Sequence, residues 1–207
     1  KNTVPQVDKE ITKVNEDTMN EEATDVKIGD IVEFTITVPV VTGAHNYVVT
    51  DTLSDGLDLV QKPVLKDSFT ITGGTAESVT YEDRVITIDL SDTFTGNSVI
   101  IKYQATVNAD AITDGNGLNT VNLNFGDSDN FTYDTVEVFP LEFDISKTDG
   151  TNALVGAEFV IYQLGENDAK VYLTFNKVGN KYVYTDTANS LTGATTLTTT
   201  DGSYNID

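Results

Sequence analysis

Three polar residues stand where strand-like alternation calls for apolar ones. In Gln6–Asn15, alternate side chains share a face. Val7, Lys9, Ile11 and Lys13 therefore lie together, with Thr12 and Val14 opposite. Ile11 marks the first face as the inner one, which brings Lys13 to the edge of the core or into it and leaves Lys9 nearer the exposed strand end. A buried ammonium is costly unless it is paired. The same rule supplies two partners. Asp51 shares a face with Tyr47, Val49 and Leu53, and Asn119 with Val121, Leu123 and Phe125. An amine, a carboxyl and a carboxamide would then be enclosed together. The alternative is that each sits at a strand end and is solvated.

Such a meeting needs a framework of strands. Threonine, valine and isoleucine dominate, and no helical period runs longer than a turn or two. Strands are expected at 6–14, 31–41, 47–53, 64–72, 78–81, 85–90, 99–107, 119–125 and 132–139. Turn signals separate them, among them Gly29-Asp30, Asp55-Gly56, Gly73-Gly74 and Asp114-Gly115-Asn116-Gly117. Many short strands between regular turns predict an all-β sandwich.

The pattern restarts after Pro140. A boundary there divides the chain into 1–140 and 141–207, with further strands at 141–148, 157–163, 170–175 and 181–185. The stretch from Thr187 to Asn205 is rich in threonine and small residues, with little to bury. Four or five strands with open edges make a marginal sandwich, so the second segment reads as truncated, with more chain expected after Asp207.

Composition narrows the function. The 207 residues carry 12 Lys and Arg against 33 Asp and Glu, a formal charge of −21. That disfavours nucleic acid, whose phosphates need cations, and favours a self-repelling soluble surface. With 39% hydrophobic residues a packed core is available. No apolar run is long enough to span a membrane. No signal peptide is present and the first residue is a lysine, as expected of a processed or trimmed chain. There is no cysteine, which excludes disulfides, thiolate metal sites and cysteine nucleophiles. The single histidine, His45, reads as a loop residue. No cofactor is implied.

Other motifs are weak. The acidic stretches 110–116 and 127–130 offer oxygen ligands for calcium, but neither follows the spacing of a helical calcium loop, and solvated turns account for them better. A carboxylate pair for glycoside hydrolysis has no support from the expected fold. Gly73-Gly74 is too bare for a phosphate loop and reads as a turn.

Several stretches resemble the shaft subunits of Gram-positive, sortase-assembled pili. Lys27-Ile28-Gly29-Asp30-Ile31-Val32-Glu33-Phe34-Thr35-Ile36 is similar to the K-x-G-D-x-V-x-F-T-I strand of their middle domains. Asp51-Thr52-Leu53-Ser54-Asp55-Gly56-Leu57 resembles their D-T-L-x-x-G-L stretch, and 101–108 with 119–123 resembles their closing strands. Phe143-Asp144-Ile145-Ser146-Lys147-Thr148-Asp149, with Leu154-Val155-Gly156-Ala157-Glu158-Phe159, matches the start of a collagen-adhesin B-type module. Lys1-Asn2 before Pro5-Gln6-Val7-Asp8-Lys9 is similar to the end of a Y-P-K-N motif and the P-x-V-D-K strand after it.

The resemblance implies tandem immunoglobulin-like sandwiches, the first of isopeptide type and the second a partial B-type module. It also implies a chemistry: lysine and asparagine on neighbouring strands join in an amide, assisted by a buried acid. Carried over, Lys13 is the nucleophile, Asp51 the acid and Asn119 the acceptor. Asn122 and Asn124 are close by, but alternation puts them on the opposite face. Lys147 matches a second bond-forming lysine, although that module's E-T-x-A-P-x-G-Y stretch and final Asn or Asp are missing. Lys1 matches the side chain that sortase joins to the next subunit.

The function implied is that of a structural, non-enzymatic subunit of a wall-anchored, extracellular pilus, with other pilin subunits and sortase as partners. A wall-anchored adhesin with a host ligand is the alternative, and a carbohydrate-active enzyme a distant third.

Overall fold

The computed structural model describes residues 4–43, 45–112, 115–126, 130–140, 143–178, 181–199 and 203–206. Contacts divide the chain into two compact units, Lys1–Pro140 and Leu141–Asp207. Among the described residues the regular structure is strand, with a few short 3-10 turns.

The first unit contains β1 (Asp8–Val14), β2 (Asp17–Glu21), β3 (Ala23–Val26), β4 (Ile31–Pro39), β5 (Val48–Leu53), β6 (Leu57–Leu59), β7 (Thr70–Thr72), β8 (Ala76–Glu82), β9 (Val85–Leu90), β10 (Ser98–Val107), β11 (Leu118–Phe125) and β12 (Asn130–Pro140). They form two six-stranded sheets. One runs β2-β1-β4-β10-β6, with β7 also on β10, and the other runs β3-β12-β11-β5-β9-β8. Neighbours are antiparallel except β3 and β12, which are parallel.

Alternation explains the core. β4 buries Val32, Phe34, Ile36 and Val38, and β10 buries Val99, Ile101, Tyr103, Ala105 and Val107. From the other sheet come Val49 and Leu53 of β5, Ile86, Ile88 and Leu90 of β9, and Val121 and Leu123 of β11. These side chains form one cluster, so the unit is a β-sandwich.

Three features differ from the expectations. Residues 64–72 do not form one strand. Leu65–Ser68 is a 3-10 turn, closed by the Asp67 N–H on the Val64 carbonyl and by the Ser68 hydroxyl accepting from the Lys62 N–H. Short polar side chains that bond nearby backbone compete with the sheet ladder in this way. Second, β2 and β3 carry too few apolar residues to show alternation. Both lie at sheet edges with mostly exposed side chains, as edge strands commonly do.

The third difference is in β1. Its register shifts between Ile11 and Lys13, against both β2 and β4. A bulge adds one residue to the strand and breaks the alternation. Ile11 and Val14, three apart, are both buried, and Lys13 is turned away from the core.

The second unit contains β13 (Phe143–Ser146), β14 (Glu158–Phe159), β15 (Tyr162–Leu164), β16 (Lys170–Val178), β17 (Lys181–Ala188), β18 (Leu197–Thr198) and β19 (Ser203–Ile206). A five-stranded sheet runs β13-β19-β17-β16-β15, and β14 pairs with β18. Phe175, Tyr182 and Leu197 form its core, with Ile145, Ile161, Leu173 and Tyr184 packed on them. The threonine-rich stretch is thus not empty of core residues. Leu197 is fully buried, and the buried Thr199 hydroxyl donates to the Leu154 carbonyl and accepts from the Ala157 N–H.

Candidate functional site

A polar cluster lies inside the first sandwich. Lys9 comes from β1 and Tyr103 from β10, in one sheet. Asp51 comes from β5 and Asn119 from β11, in the other. Lys9 and Asn119 are 0% exposed, Asp51 1% and Tyr103 2%.

Local structure puts each group there. Lys9 sits between buried Val7 and Ile11 and pairs with Ile36 of β4. The inner face at the start of β1 is closed to water, although Asp8 itself is exposed. The Thr132 hydroxyl accepts from the Val7 N–H at 3.1 Å, and Asp134 accepts from the Lys9 N–H at 2.7 Å. β5 and β11 are paired, Val121 facing Asp51 and Asn119 facing Leu53. Ahead of β11, the Gly117 carbonyl accepts from the Val138 N–H at 3.0 Å, and a Cβ on Gly117 would lie 2.0 Å from the Val138 oxygen. Only glycine allows β11 to approach β12 so closely there.

The geometry is tight. Lys9 Nζ lies 2.6 Å from both Asp51 oxygens and 3.1 Å from the Tyr103 hydroxyl. That hydroxyl donates to Asp51 Oδ2 at 2.5 Å and accepts from Asn119 Nδ2 at 2.6 Å. Asn119 Oδ1 has no hydrogen-bond partner among the described residues. The rings of Phe34 and Phe69 flank Tyr103, with centroids 5.5 and 5.7 Å away. Lys9 Nζ lies 5.2 Å from the Phe34 centroid, within range of a cation–π contact.

Burial governs the electrostatics. It lowers the Lys9 pKa, against the opposing pull of Asp51 and, more weakly, Asp134. It raises Tyr103 well above a normal phenol, and the charge of Asp51 adds to the effect. The tyrosine is therefore a neutral hydroxyl at physiological pH. A buried lysine paired with a carboxyl can pass its proton across the pair and leave a neutral amine, which is nucleophilic. The enclosed set is an amine, an acid, a hydroxyl and an amide.

The lysine of the set is Lys9, not Lys13. Lys13 is partly buried, lies opposite Thr18 and Glu33, and is not bonded to Asp51. The bulge after Ile11 is the physical reason. Asp51 and Asn119 lie in the cluster, whereas Asn122 is partly buried and Asn124 exposed on the other face of β11. Tyr103 was absent from the expected set, since a tyrosine in apolar alternation reads as core. Lys147 is exposed in the second unit, directly after β13. Lys1 lies outside the described residues, as do Thr113, Asp114 and residues 127–129 of the acidic stretches.

A second polar group lies on the surface by β1. Carboxylate oxygens of Asp8, Glu22 and Asp134 lie within 4.8 Å of one another. The pKa of Glu22 is raised, by partial burial first and then by Asp134, Asp8 and Glu10. No helix of the described residues is long and apolar enough to cross a membrane.

No protein-family model and no curated protein matches the sequence. Solved structures do match. The backbone protein of pilus 2b from group B streptococcus superposes with a TM-score of 0.63 at 22% identity, over 94% of this chain and 78% of that one. The chain has the fold of Gram-positive pilus backbone proteins. The pilus backbone protein RrgB of Streptococcus pneumoniae gives a TM-score of 0.55 at 16% identity, over 86% of this chain and 68% of that one. For full-length RrgB the TM-score is 0.54, and the match spans 50% of that pilin. In this chain the pilus-backbone fold is all-β, with immunoglobulin-like sandwich architecture, and it encloses the Lys9 cluster in its first unit.

Proposed function

We propose that the chain is a structural subunit of a cell-surface pilus whose first unit is locked by an amide between Lys9 and Asn119. The observation that carries this reading is the enclosure of lysine, acid and carboxamide in one core, all without access to water. The pilus-backbone fold supports the same reading.

The reaction balances within the chain. The Lys9 ammonium gives a proton to Asp51, and the neutral Nζ attacks Cγ of Asn119. The Nζ–Cγ bond forms, the Cγ–Nδ2 bond breaks, and ammonia leaves. One lysine proton departs with the ammonia and a second stays on Asp51. The product has no buried ammonium, which removes the desolvation penalty that drove the reaction. Folding supplies high effective molarity, because the strands hold amine and amide on a shared hydroxyl. The bond closes a loop of more than a hundred residues. A disulfide across such a loop contributes roughly 4 to 5 kcal/mol, and an amide acts on the same loop entropy without being reducible. Such a cross-link suits a subunit that bears force outside the cell, and assembly then proceeds with other subunits through a sortase.

Intact mass tests the reading. The folded chain is expected to weigh one ammonia less than its sequence, and digestion to yield a branched peptide joining the Lys9 and Asn119 segments. A mass equal to the sequence mass refutes the cross-link.

A further inference from the structure

We propose that Tyr103 is the proton relay of the cross-linking reaction, carrying a proton from Asp51 to the departing nitrogen of Asn119. The inference rests on the Lys9–Asn119 reading above and adds a catalytic residue to it.

The geometry points to the tyrosine because Asp51 does not touch the amide. Both Asp51 oxygens are held by Lys9, and Oδ2 also by Tyr103. Among the described residues, the one hydrogen bond of the Asn119 carboxamide is to the Tyr103 hydroxyl, 2.6 Å from Nδ2. The atom that must leave as ammonia therefore sits on the phenol, and the acid sits on the phenol's other side at 2.5 Å. Lys9 Nζ reaches the same oxygen at 3.1 Å.

A hydroxyl has one proton and two lone pairs. Before reaction, Tyr103 donates to Asp51 and accepts from Asn119 and Lys9, so its capacity is full. Once Asp51 has taken a proton from Lys9, the hydrogen bond between them reverses. Asp51 now donates to the phenol oxygen, and the phenol proton is free for Nδ2. Attack of Nζ on Cγ gives Nδ2 a lone pair. Tyr103 hands its proton to Nδ2 and takes the one from Asp51. The Cγ–Nδ2 bond breaks, ammonia leaves, and the Asp51 carboxylate removes the surplus proton from the new amide nitrogen. Tyr103 ends as it began. Burial, with the Asp51 charge, holds the proton on Tyr103 before reaction, and the proton taken from Asp51 restores it as the first is given up.

The test follows bond formation by intact mass during refolding of unbonded chain. Positioned acid–base groups contribute about 10²- to 10⁴-fold. Tyr103→Phe keeps the ring between Phe34 and Phe69 and is expected to lose ammonia at least about 10²-fold more slowly than wild type. A second set of chains carries fluorinated tyrosines at position 103, which keep the hydroxyl and its shape but change its acidity. Their bond-formation rates are expected to vary monotonically with phenol acidity, a dependence that packing alone would not produce. If wild type loses ammonia and Tyr103→Phe does so equally fast, or if the fluorinated series reacts at one common rate, the relay is wrong while the cross-link stands. If wild type loses no ammonia, both readings fall.

Discussion

The Asp51 carboxylate holds the Lys9 ammonium with both oxygens, each at 2.6 Å, in a core where neither side chain meets solvent. A buried pair of this kind is strongly destabilising to break from one side, by about 3 to 5 kcal/mol, because a charge is left without compensation. Asp51→Asn therefore has two effects: it removes the acid that the cross-link needs, and it leaves the unreacted Lys9 ammonium buried without its partner. Asn119→Ala also stops the cross-link but leaves Lys9 paired with Asp51, losing besides the acceptor only the hydrogen bond to the Tyr103 hydroxyl. Denaturant unfolding of Asn119→Ala is expected to show a loss of roughly 4 to 5 kcal/mol, the loop term, with Asp51→Asn weaker still. An Asn119→Ala chain as stable as wild type would contradict the cross-link.

The two lysines of β1 are expected to behave in opposite ways. Lys9→Ala should restore the full sequence mass. Lys13→Ala should keep the ammonia deficit and shift stability by no more than about 0.5 kcal/mol, as substitutions outside the core usually do. A branched peptide that contains Lys13 in place of Lys9 would overturn the register described for β1.

That pair of residues also shows where the sequence could and could not be read. The buried positions of Asp51 and Asn119 follow from Val49-Asp51-Leu53 and Asn119-Val121-Leu123, strand segments that keep alternation through the site. β1 does not keep it. A bulge is a backbone event with no residue signature here, since Thr12 and Lys13 are ordinary strand residues. Val7, Lys9 and Ile11 did share a face, but Lys9 looked like a solvated strand end. Thr132 and Asp134 from β12 cover that end, and their contribution comes from residues more than a hundred positions away. Tyr103 was hidden for another reason: its hydroxyl has a role only because Asp51 and Asn119 converge on it. β2, β3 and the three-residue β6 were missed because such short or polar strands carry little periodicity.

The carboxylates beside β1 make a pH prediction. Glu22 has its pKa raised above the ordinary 4.5, by partial burial and then by Asp134, Asp8 and Glu10. A raised carboxyl binds its proton more readily in the folded chain than in the unfolded one. Its contribution to stability is thus fully present below the ordinary value and is lost as pH rises through the folded one. At neutral pH the charged Glu22 is a liability. Glu22→Gln is expected to raise the melting temperature at pH 7 and low salt, to do so less at high salt, and to change it little near pH 3. Melting curves across that range check it. An equal shift at pH 3 and pH 7 would remove the electrostatic cause.

The small core of the second unit rests on Leu197. It is fully buried, packs with Phe175 and Tyr182, and lies in β18 opposite Phe159 of β14. Two positions on, Thr199 fixes the turn before β14: its hydroxyl bonds Leu154 and Ala157, and its carbonyl accepts from the Gly156 N–H at 2.7 Å. The stretch therefore acts as a strap that holds one apolar side chain in place. Leu197→Ala removes buried methyl groups and leaves a cavity, at about 2 to 5 kcal/mol. Thr199→Val removes two hydrogen bonds to partly shielded backbone groups, at about 0.5 to 1.5 kcal/mol each. Hydrogen exchange on the full chain is the measurement. Amides of β14, β16 and β18 are expected to lose protection in both variants, while those of β5 and β11 in the first unit keep theirs. Unchanged protection in β16 and β18 would mean that Leu197 is not a core residue of this unit.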